Sequence, residues 1–464
     1  MEQLNLIIDT YQRIILESES QLAKVKRRIY RIGTLRLILF AAGVAGIIYF
    51  WSESRLVISG IAAITFIPFL LLVKLHNRLF RQKDYLEKKI EINRQELQAI
   101  AYDTSAFDNG KEFIDPAHLY TYDLDVFGEH SLFQYINRTA TQPGKKRLAE
   151  WMNTHLKNKA EIEKRQEAVK ELAPELEMRQ HFRILGLLHK GKTADEEEIR
   201  NWATSPEHYR KKWYFRTLAI LVPLANAVCL GLAIAGVISF TTWGIVFAGI
   251  GLLSSSFSKG VSQMQSVYGK KMQILTTYAH LIHIIEEKEM ESSALKRVKG
   301  LVGGEKQTAS QAVKRLTALM NALDQRNNML MQFVLNGLFF WELRQVMKIE
   351  TWKESFAANL PHWLEAIGEM DAYCSLATFA YNHPGYVFPE IASKPFCMEA
   401  EALGHPLMDR DKCVRNDIQI AKRPFFVIIT GANMAGKSTY LRTIGVSYLL
   451  ACIGAPVWAE KMKL

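Results

Sequence analysis

The chain has 464 residues, which is enough for two or more domains with substantial hydrophobic cores. Its formal net charge of +11 at pH 7 suits a partner with a negative surface, either nucleic acid or anionic lipid. The five scattered cysteines include no C-x-x-C pair, which argues against a zinc site or a disulfide framework and fits a reducing cytoplasm. We expect no secretory signal peptide, because the first 33 residues are charged and helical in pattern.

The N-terminal part combines an amphipathic segment with apolar ones. Residues 1–33 repeat apolar side chains at helical spacing and end in basic residues, which predicts an amphipathic cytoplasmic helix. Two uncharged runs follow at 37–51 and 56–73, separated by the short break SESR and flanked by basic residues. This pattern predicts a transmembrane hairpin over residues 34–75, and the polar repeat after it predicts a helical linker over 76–114.

A second pair of apolar runs occurs in the middle of the chain, where no charged residue lies between Arg216 and Lys259. The run at 217–240 is long enough to cross a bilayer, which takes roughly 20 apolar residues. The run at 243–257 provides a shorter return. We therefore predict a second transmembrane hairpin over residues 213–258.

The alternative is that these runs are buried core helices of a soluble protein. Two paired runs, each bracketed by Lys and Arg with a short loop between, favour membrane insertion instead. The positive-inside rule then places both ends of each hairpin in the cytoplasm. Because the runs contain no ionisable side chain that would mark an ion pathway, we interpret the two hairpins as anchors.

The segment after the second hairpin is helical in pattern and contains few glycines or prolines. The break GLVGGEK at 300–306 is predicted to separate two long helices. On the first of them, His280, His283 and Glu287 share one face and carry metal-binding side chains, but a solvated helix face is the simpler interpretation.

The clearest chemical motif lies near the end of the sequence. The apolar, β-branched run FFVIIT at 425–430 predicts a buried parallel strand. It leads into GANMAGKS at 431–438, which is a complete Walker A pattern, G-x-x-x-x-G-K-S. An apolar helix is predicted to follow, and Gly454 and Pro456 are predicted to end it.

The spacing of this motif predicts the role of each part. Gly431 and Gly436 allow a tight turn that points backbone N–H groups at phosphate oxygens, and the helix N-terminus adds partial positive charge. Lys437 is predicted to reach the β- and γ-phosphates of ATP, and the Ser438 hydroxyl is predicted to ligate Mg²⁺. The predicted nucleotide-binding residues of the loop are Gly431, Ala432, Asn433, Met434, Ala435, Gly436, Lys437, Ser438 and Thr439.

The stretch ITGANMAGKSTYLRTIGVSYLLACIGAPVWAE resembles the ATPase core of the MutS family of DNA mismatch-repair proteins. The pattern of that family is TGPNMGGKSTYLR, followed by an AxIGxxVPA stretch. The sequence departs from it at Ala432, Ala435 and Trp458, and it retains the NM pair and the STYLR run. A match of this length is far more specific than a Walker A pattern alone.

Segments upstream agree with the same family in order and spacing. Residues 131–172 resemble the start of its helical core domain, and residues 364–391 resemble the helix that leads from the lever into the ATPase domain. LGHPL at 403–407 and VRNDIQI at 414–420 resemble the stretches that precede the phosphate loop. Because the family's chain packs there against the adenine, the resemblance makes Asn416 the candidate contact to the base.

The resemblance covers residues 115–464 apart from 213–258. It implies a MutS-like helical core and lever domain followed by the start of a P-loop α/β ATPase domain. Together with the two transmembrane helical hairpins predicted from the apolar runs, the expected fold is mainly α. The first part of the core is expected at 115–212, the levers and the second part of the core at 259–388, and an incomplete ATPase domain at 389–464.

Two parts of the family pattern, the mismatch-reading domain and the acidic Walker B strand, have no counterpart in the sequence, and the clamp domain is reduced to the turn near GLVGGEK. Between Ser438 and Leu464 the only carboxylate side chain is that of Glu460, so no catalytic residue for ATP hydrolysis is identified. We therefore expect the sequence to be a C-terminally truncated copy or fragment of a longer ATPase. Since sites of this family are completed by a second subunit, the resemblance also implies a homodimer.

These features together predict a membrane-anchored MutS-family ATPase at the inner (cytoplasmic) membrane, with its soluble domains in the cytoplasm. ATP and Mg²⁺ are the implied ligands. The resemblance implies binding of mismatched or structured DNA, as in damage sensing. Two alternatives stay open: a nucleotide-driven membrane scaffold that acts on a protein partner without DNA, and a transporter-type ATPase. The uncharged, short-looped helices argue against the transporter.

Overall fold

The computed structural model describes residues 2–52, 54–188, 193–206, 209–304, 307–324, 329–393, 397–420, 428–430 and 436–464. The chain divides into two compact units. The first unit consists of Met1–Asn137, Ala173–Leu188 and Ala377–Leu464, and the second consists of Arg138–Leu172 and His189–Leu376.

The protein is mainly helical, as predicted. In chain order the described α-helices are α1 (Glu2–Tyr49), α2 (Arg55–Ile100), α3 (Leu132–Ile136), α4 (Gln142–Asn153), α5 (Lys159–Leu172), α6 (Leu176–Leu188), α7 (Thr193–Thr204), α8 (Trp213–Ile234), α9 (Phe240–Glu287), α10 (Ser293–Val302), α11 (Ala309–Asp324), α12 (Met329–Phe339), α13 (Trp341–Phe356), α14 (Leu360–Asn382) and α15 (Lys437–Cys452). The described strands are β1 (Met398–Leu403), β2 (Asn416–Ile420) and β3 (Lys461–Lys463).

In the first unit, α1 and α2 form a long antiparallel hairpin. α1 runs without interruption through the predicted amphipathic segment and the first apolar run, and the chain turns at the predicted break. Val25, Leu79 and Leu86 pack together between the polar halves of the two helices. In the apolar halves a Cβ atom at Gly43 would lie 3.0 Å from Thr65, so this glycine lets the two backbones approach closely.

A small antiparallel sheet completes the first unit, and its strand order is β2-β1-β3. Met398 of β1 lies opposite Ile420 of β2, and Glu399 of β1 lies opposite Lys463 of β3. This sheet was not predicted from the sequence, because its strands are short and two of them alternate charged with apolar residues. Together with α15 it forms the frame of the predicted nucleotide site.

In the second unit, α4, α5, α7–α13 and most of α14 pack around buried side chains that include Leu148, Met152 and Leu172. Helix α4 begins as its sequence predicts. The Thr141 hydroxyl accepts a hydrogen bond from the Gly144 N–H group (3.0 Å), with proline in the first turn.

The second apolar hairpin consists of α8 and α9, joined by a turn in which Gly236 has a φ angle of 76°. The apolar run predicted at 217–240 is not one helix, because the left-handed Gly236 follows the end of α8 at Ile234. On the other side of the turn, α9 continues without a break from the return run to Glu287.

The break predicted at 300–306 begins within α10, which has 10 residues and ends at Val302. It precedes α11, which has 16 residues, so it does not separate two long helices. The long helix α9 ends earlier, at Glu287. There the Glu171 carboxylate accepts hydrogen bonds from the N–H groups of Glu291 (2.8 Å) and Ser292 (2.7 Å). These bonds fix the turn that leads into α10, and the sequence pattern gives no sign of them.

Three helices in the described ranges have the length and apolar composition that a bilayer crossing requires: α1, α2 from Leu56 onward, and α8. The first part of α9, Phe240–Ser254, is apolar but shorter. Almost none of the residues in the apolar stretches of α1 and α2 are buried, and many of their large apolar side chains are exposed on the protein surface.

Candidate nucleotide-binding site

The helix start predicted after the phosphate loop is the N-terminus of α15. Gly436 lies at the N-cap with a φ angle of 79°, in the left-handed region that favours glycine. The helix begins at Lys437, and the Tyr440 N–H group donates the first helical hydrogen bond to the Gly436 carbonyl (2.9 Å). Ser438 and Thr439 are exposed in this first turn. The predicted end of the helix is also confirmed, since α15 stops at Cys452, just before Gly454 and Pro456.

A hydrogen bond joins this first turn to the strand that carries the predicted base contact. The Tyr440 hydroxyl donates to the main-chain carbonyl of Asp417 in β2 (2.9 Å). Asn416 is the first residue of β2 and is exposed, and its amide group donates to the Val414 carbonyl (3.2 Å). Asn416 is therefore adjacent in the chain to the residue that α15 contacts.

Asp417 has a second function in the sheet. Its Oδ1 atom accepts a hydrogen bond from the N–H group of Ala402 (2.7 Å), a residue with a φ angle of 51°. The pairing of β1 with β2 shifts register between Ala400 and Leu403. The Asp417 carboxylate thus stabilises a bulge that sets where β2 begins.

The other side of α15 packs on the segment before α3. Arg442 forms an ion pair with Asp125 (2.7 Å), and a Cβ atom at Gly445 would lie 2.5 Å from Leu124. His405, in the LGHPL stretch, lies near this pair. Burial and the nearby Arg442 lower the pKa of His405, so its neutral form is favoured. These contacts hold α15 at a defined position in the first unit.

Trp458, one of the departures from the family pattern, occupies a definite place. Its ring stacks on Tyr386 with the planes 4° apart and the centroids 6.1 Å apart. A Cβ atom at Gly404 would lie 2.5 Å from the same indole, so the glycine makes room for it. The Gly404 N–H group also donates to the Trp458 carbonyl (2.8 Å). The larger side chain at 458 is accommodated by a close approach of two backbone segments.

Part of the predicted site lies outside the described residues: Gly431, Ala432, Asn433, Met434 and Ala435. The strand predicted at 425–430 lies partly outside them as well. Its described residues, 428–430, have no regular secondary structure, and Ile428 is largely exposed. A buried parallel strand needs neighbours and covering helices, and none of the strands in the described part of the chain pairs with this segment.

The groups at the start of α15 fit a nucleotide phosphate with Mg²⁺. A helix N-terminus offers free N–H groups and partial positive charge to an anion. Lys437 adds an ammonium group at the first helical position, and the exposed hydroxyl of Ser438 is an oxygen ligand of the kind Mg²⁺ prefers. The donor set is therefore suited to binding a polyphosphate and its metal ion.

A groove of about 660 Å³ lies over the small sheet, but its charge disfavours phosphate. It is lined by more carboxylates than ammonium groups, and like charges repel an anionic ligand. The charged lining residues are Glu390, Glu399, Glu401, Asp417, Glu460, Lys461 and Lys463. The start of α15 therefore remains the better candidate.

Sequence reasoning missed the residues that assemble this site. Tyr440, Asp417 and the Arg442–Asp125 pair were not predicted as site residues, although Tyr440 and Arg442 belong to the STYLR run. For Tyr440 and Arg442, the available signal was their presence in the STYLR run. Their partners are distant in the sequence, so no local pattern links them.

Comparison with known families gives two matches. Residues 118–377 match the family model of MutS domain III, and residues 427–464 match that of MutS domain V. The first match alone covers more than half of the 464 residues. The second begins just before the phosphate loop and runs to the end of the sequence.

Comparison with curated proteins finds similar chains in fungi and bacteria. The DNA mismatch repair protein msh3 of Aspergillus niger is 24% identical over 395 residues, and that of Aspergillus terreus is 26% identical over 403 residues. Each alignment covers 75% of this chain and 34% of the relative. The DNA mismatch repair protein MutS of Thermus thermophilus is 39% identical over 99 residues, which is 21% of this chain and 12% of that protein. The chain thus spans about a third of the length of the first two relatives.

Proposed function

The chain belongs to the MutS family of DNA mismatch-repair proteins, and from this premise we propose that it is a membrane-anchored member that couples ATP binding to DNA binding. The observation that carries the ATP proposal is the start of α15, where Gly436, Lys437 and Ser438 of a Walker A pattern occupy a helix N-terminus. By family resemblance the DNA is mismatched or structured, and the protein acts as a homodimer.

In this proposal the first turn of α15 holds the phosphates of ATP. Lys437 neutralises charge on the β- and γ-phosphates, Ser438 binds Mg²⁺, and Thr439 adds a second hydroxyl to the same turn. Asn416 contacts the base from the start of β2. The bound metal ion contributes charge neutralisation on the phosphates when nucleotide is present. The hydrogen bond from the Tyr440 hydroxyl to the Asp417 carbonyl fixes the position of the phosphate-binding turn relative to the strand that contacts the base.

We further propose that the α1–α2 and α8–α9 hairpins anchor the protein in the inner (cytoplasmic) membrane, with the rest of the chain in the cytoplasm. Exposed apolar surface of this extent is unfavourable in water. Because the apolar stretches of these helices carry almost no charge, acyl chains of the lipid are a suitable environment for that surface. Exposed Tyr49 and Trp51 at the tip of the first hairpin, and exposed Trp213 at the start of α8, are side chains that favour the membrane–water interface.

The ATP proposal is tested by Lys437→Ala in the detergent-solubilised protein. A hydrogen bond to a charged group contributes about 1.5–3 kcal/mol, so we expect the affinity for Mg²⁺-ATP to fall about tenfold to 150-fold. Lys461→Ala is the matched control, because Lys461 is exposed and belongs to β3. Titration with a fluorescent ATP analogue measures both. Equal affinity in the two variants would contradict the proposal.

The membrane proposal is tested by labelling single added cysteines with a maleimide that cannot cross the membrane of intact cells. Ser54→Cys lies in the turn of the first hairpin and Thr241→Cys lies in the first turn of α9, next to the turn of the second hairpin. Both are expected to react above the unmodified chain. Ser105→Cys and Thr351→Cys lie on the exposed surface of other segments and are expected to react only after lysis. Reaction of the second pair in intact cells would show that the topology is wrong.

A further inference from the structure

A third apolar helix packs on the α8–α9 hairpin. No charged residue occurs between Arg326 and Glu342, and α12 (Met329–Phe339) lies within this stretch. The Phe333 ring of α12 contacts the Phe247 ring of α9 in an edge-to-face arrangement, with centroids 5.3 Å apart. A Cβ atom at Gly337 would overlap the same Phe247 ring, so α12 and α9 approach as closely as small residues permit.

A buried polar side chain of α8 satisfies the end of α12. Asn226 is 2% exposed, and its amide group donates to the Gly337 carbonyl (2.7 Å). Its Oδ1 atom accepts a hydrogen bond from the indole N–H of Trp243 in α9 (2.9 Å). The last carbonyl groups of a helix have no partner within the helix and are usually satisfied by water or a cap. Here the cap comes from the middle of an apolar helix.

The position of Asn226 along α8 indicates how deep this residue would lie in a bilayer. It lies 13 residues after Trp213 (226 − 213), which is about 20 Å along a helix that rises ~1.5 Å per residue. The hydrocarbon core of a bilayer is about 30 Å thick. If α8 crosses the bilayer, the C-terminal end of α12 reaches its middle part, where water is absent.

The break after α12 also has the hydrogen bonds that a position without water requires. Phe340 is fully buried with a φ angle of 51°, and the helix ends there. Its N–H group donates to the Asn336 carbonyl (3.0 Å), and the Asn336 side chain accepts from the Glu342 N–H group at the start of α13 (3.0 Å). Non-helical backbone is tolerated at membrane depth only where protein satisfies its polar groups. Asn226 and Asn336 do this on both sides of the break.

The outer side of α12 continues the apolar surface. Val334 and Phe339 are exposed by 40% and 46%, on a helix segment without charge. The neighbouring α8 exposes Leu221 and Leu224. A soluble domain rarely presents uncharged, exposed apolar side chains on adjacent helices, whereas acyl chains are a matching environment for them.

We propose that α12 is a re-entrant membrane helix, which enters the bilayer from the cytoplasmic side beside α8 and α9, reaches its middle part and is held there by Asn226. The inference rests on the proposed membrane insertion of the α8–α9 hairpin and adds a third embedded element to it. The occupant of the exposed face of α12 is the acyl chains of the lipid. The chain turns at the Phe340 break and returns toward the cytoplasm as α13, where Leu343 packs with Phe215 and Ala219 near the start of α8.

The test places a photo-crosslinking amino acid, p-benzoylphenylalanine, at single positions of the whole chain. The protein is reconstituted into vesicles of phosphatidylethanolamine and phosphatidylglycerol with alkyne-tagged acyl chains. Phe339 and Val334 are the test positions, Val228 on the exposed face of α8 reports insertion of the hairpin, and Thr351 on the exposed face of α13 is the aqueous control. We expect lipid adducts at Phe339, Val334 and Val228 and none at Thr351.

The outcomes separate the inference from the proposal beneath it. Adducts at Val228 without adducts at Phe339 and Val334 would overturn the re-entrant helix and leave the hairpin in the membrane. No adduct at Val228 would overturn both. Adducts at Thr351 as strong as those at Phe339 would overturn the return of α13 to the cytoplasm.

A second measurement tests the function of Asn226 as the cap. Asn226→Leu keeps the size of the side chain and removes both hydrogen bonds. We expect lipid adducts at Phe339 to fall about threefold to twentyfold, the range for interhelical hydrogen bonds in membranes, while those at Val228 persist. Asn201→Leu, on the exposed surface of α7, is the matched control. Unchanged adducts at Phe339 in Asn226→Leu would show that Asn226 does not hold α12.

Discussion

At the residue scale, one buried carboxylate organises the start of α4 in the second unit. Asp371 of α14 is 1% exposed and accepts hydrogen bonds from the N–H groups of Ala140 (3.0 Å) and Thr141 (2.8 Å) and from the Thr141 hydroxyl (2.7 Å). That hydroxyl accepts in turn from the Gly144 N–H group (3.0 Å). The main-chain N–H groups of Ala140, Thr141 and Gly144, which would otherwise lack partners at the helix start, are satisfied in this way. The TQPG sequence predicts the helix start, but it does not reveal the distant carboxylate that completes it.

Gly144→Ala tests this arrangement, because the added methyl group would overlap the Asp371 carboxylate. Overpacking costs about 1–3 kcal/mol and lost hydrogen bonds add about 1 kcal/mol each, whereas the gain in helix propensity is at most about 1 kcal/mol. We expect a lower melting temperature, measured by circular dichroism in detergent. Gly385→Ala is the control, since no heavy atom lies within 4 Å of the added methyl. Equal melting temperatures for the two variants would contradict the proposed close contact.

At the element scale, a buried polar network in the first unit joins α1, α2 and α6 to the last residue of α14. Glu96 of α2 forms an ion pair with Arg183 of α6, and the Asn382 side chain at the end of α14 donates to Glu96 (2.8 Å). The Tyr11 hydroxyl of α1 donates to the same Asn382 (2.8 Å). The helical hairpin that we assign to the membrane is thereby connected to the helix that leads toward the sheet. A polar network of this kind fixes the relative positions of the helices it joins.

Glu96→Ala is expected to be strongly destabilising. Glu96 is 3% exposed, and its removal takes the carboxylate away from the largely covered Arg183 guanidinium, whose side chain is 12% exposed; breaking a buried pair in this way costs up to about 3–5 kcal/mol. The control is Glu19→Ala, which removes an exposed ion pair with Arg94 that connects the same two helices, α1 and α2. Exposed pairs contribute about 0–1 kcal/mol. Urea titration in detergent, followed at far-ultraviolet wavelengths, compares the variants. The network would be unimportant if both changes had the same small effect.

The elements differ in how far the sequence predicted them. The turn between α1 and α2 and the limits of α15 were predicted correctly, because charge, glycine and proline mark them locally. The end of α9 and the small sheet were missed, because Glu171 and the pairing of β1 with β3 act over long sequence distances. Helix α12 lies within the predicted levers and second part of the core at 259–388, and its 11 residues are too few to give the signal of a membrane span.

At the scale of the whole molecule, the positive charge has competing uses. Lysine and arginine exceed aspartate and glutamate by 11 (58 − 47). Some basic residues beside the apolar helices are already engaged, as Arg210 is with Glu354 and Lys26 is with Glu87 (3.0 Å). Others next to the hairpins suit anionic lipid headgroups. The net charge therefore supports DNA binding without specifying it, and the family membership makes DNA the first partner to test.

We expect DNA binding to be weak, steeply salt-dependent and little affected by a mismatch. The matched segments are domains III and V, and the residues before them, up to Ile100, form the hairpin that we assign to the membrane. The contacts left to this chain are with phosphates, which carry no sequence or mismatch information. Any preference is expected for branched DNA, whose shape long helices are able to straddle.

The measurement is a competition titration of the solubilised protein with homoduplex, single-mismatch duplex and a four-way junction, at several salt concentrations. A mismatch preference of about tenfold, or about 1.4 kcal/mol, would contradict this expectation and favour direct mismatch recognition by the elements present here. Complete lack of salt-dependent binding would favour the other candidate, a nucleotide-driven membrane scaffold that acts on a protein partner.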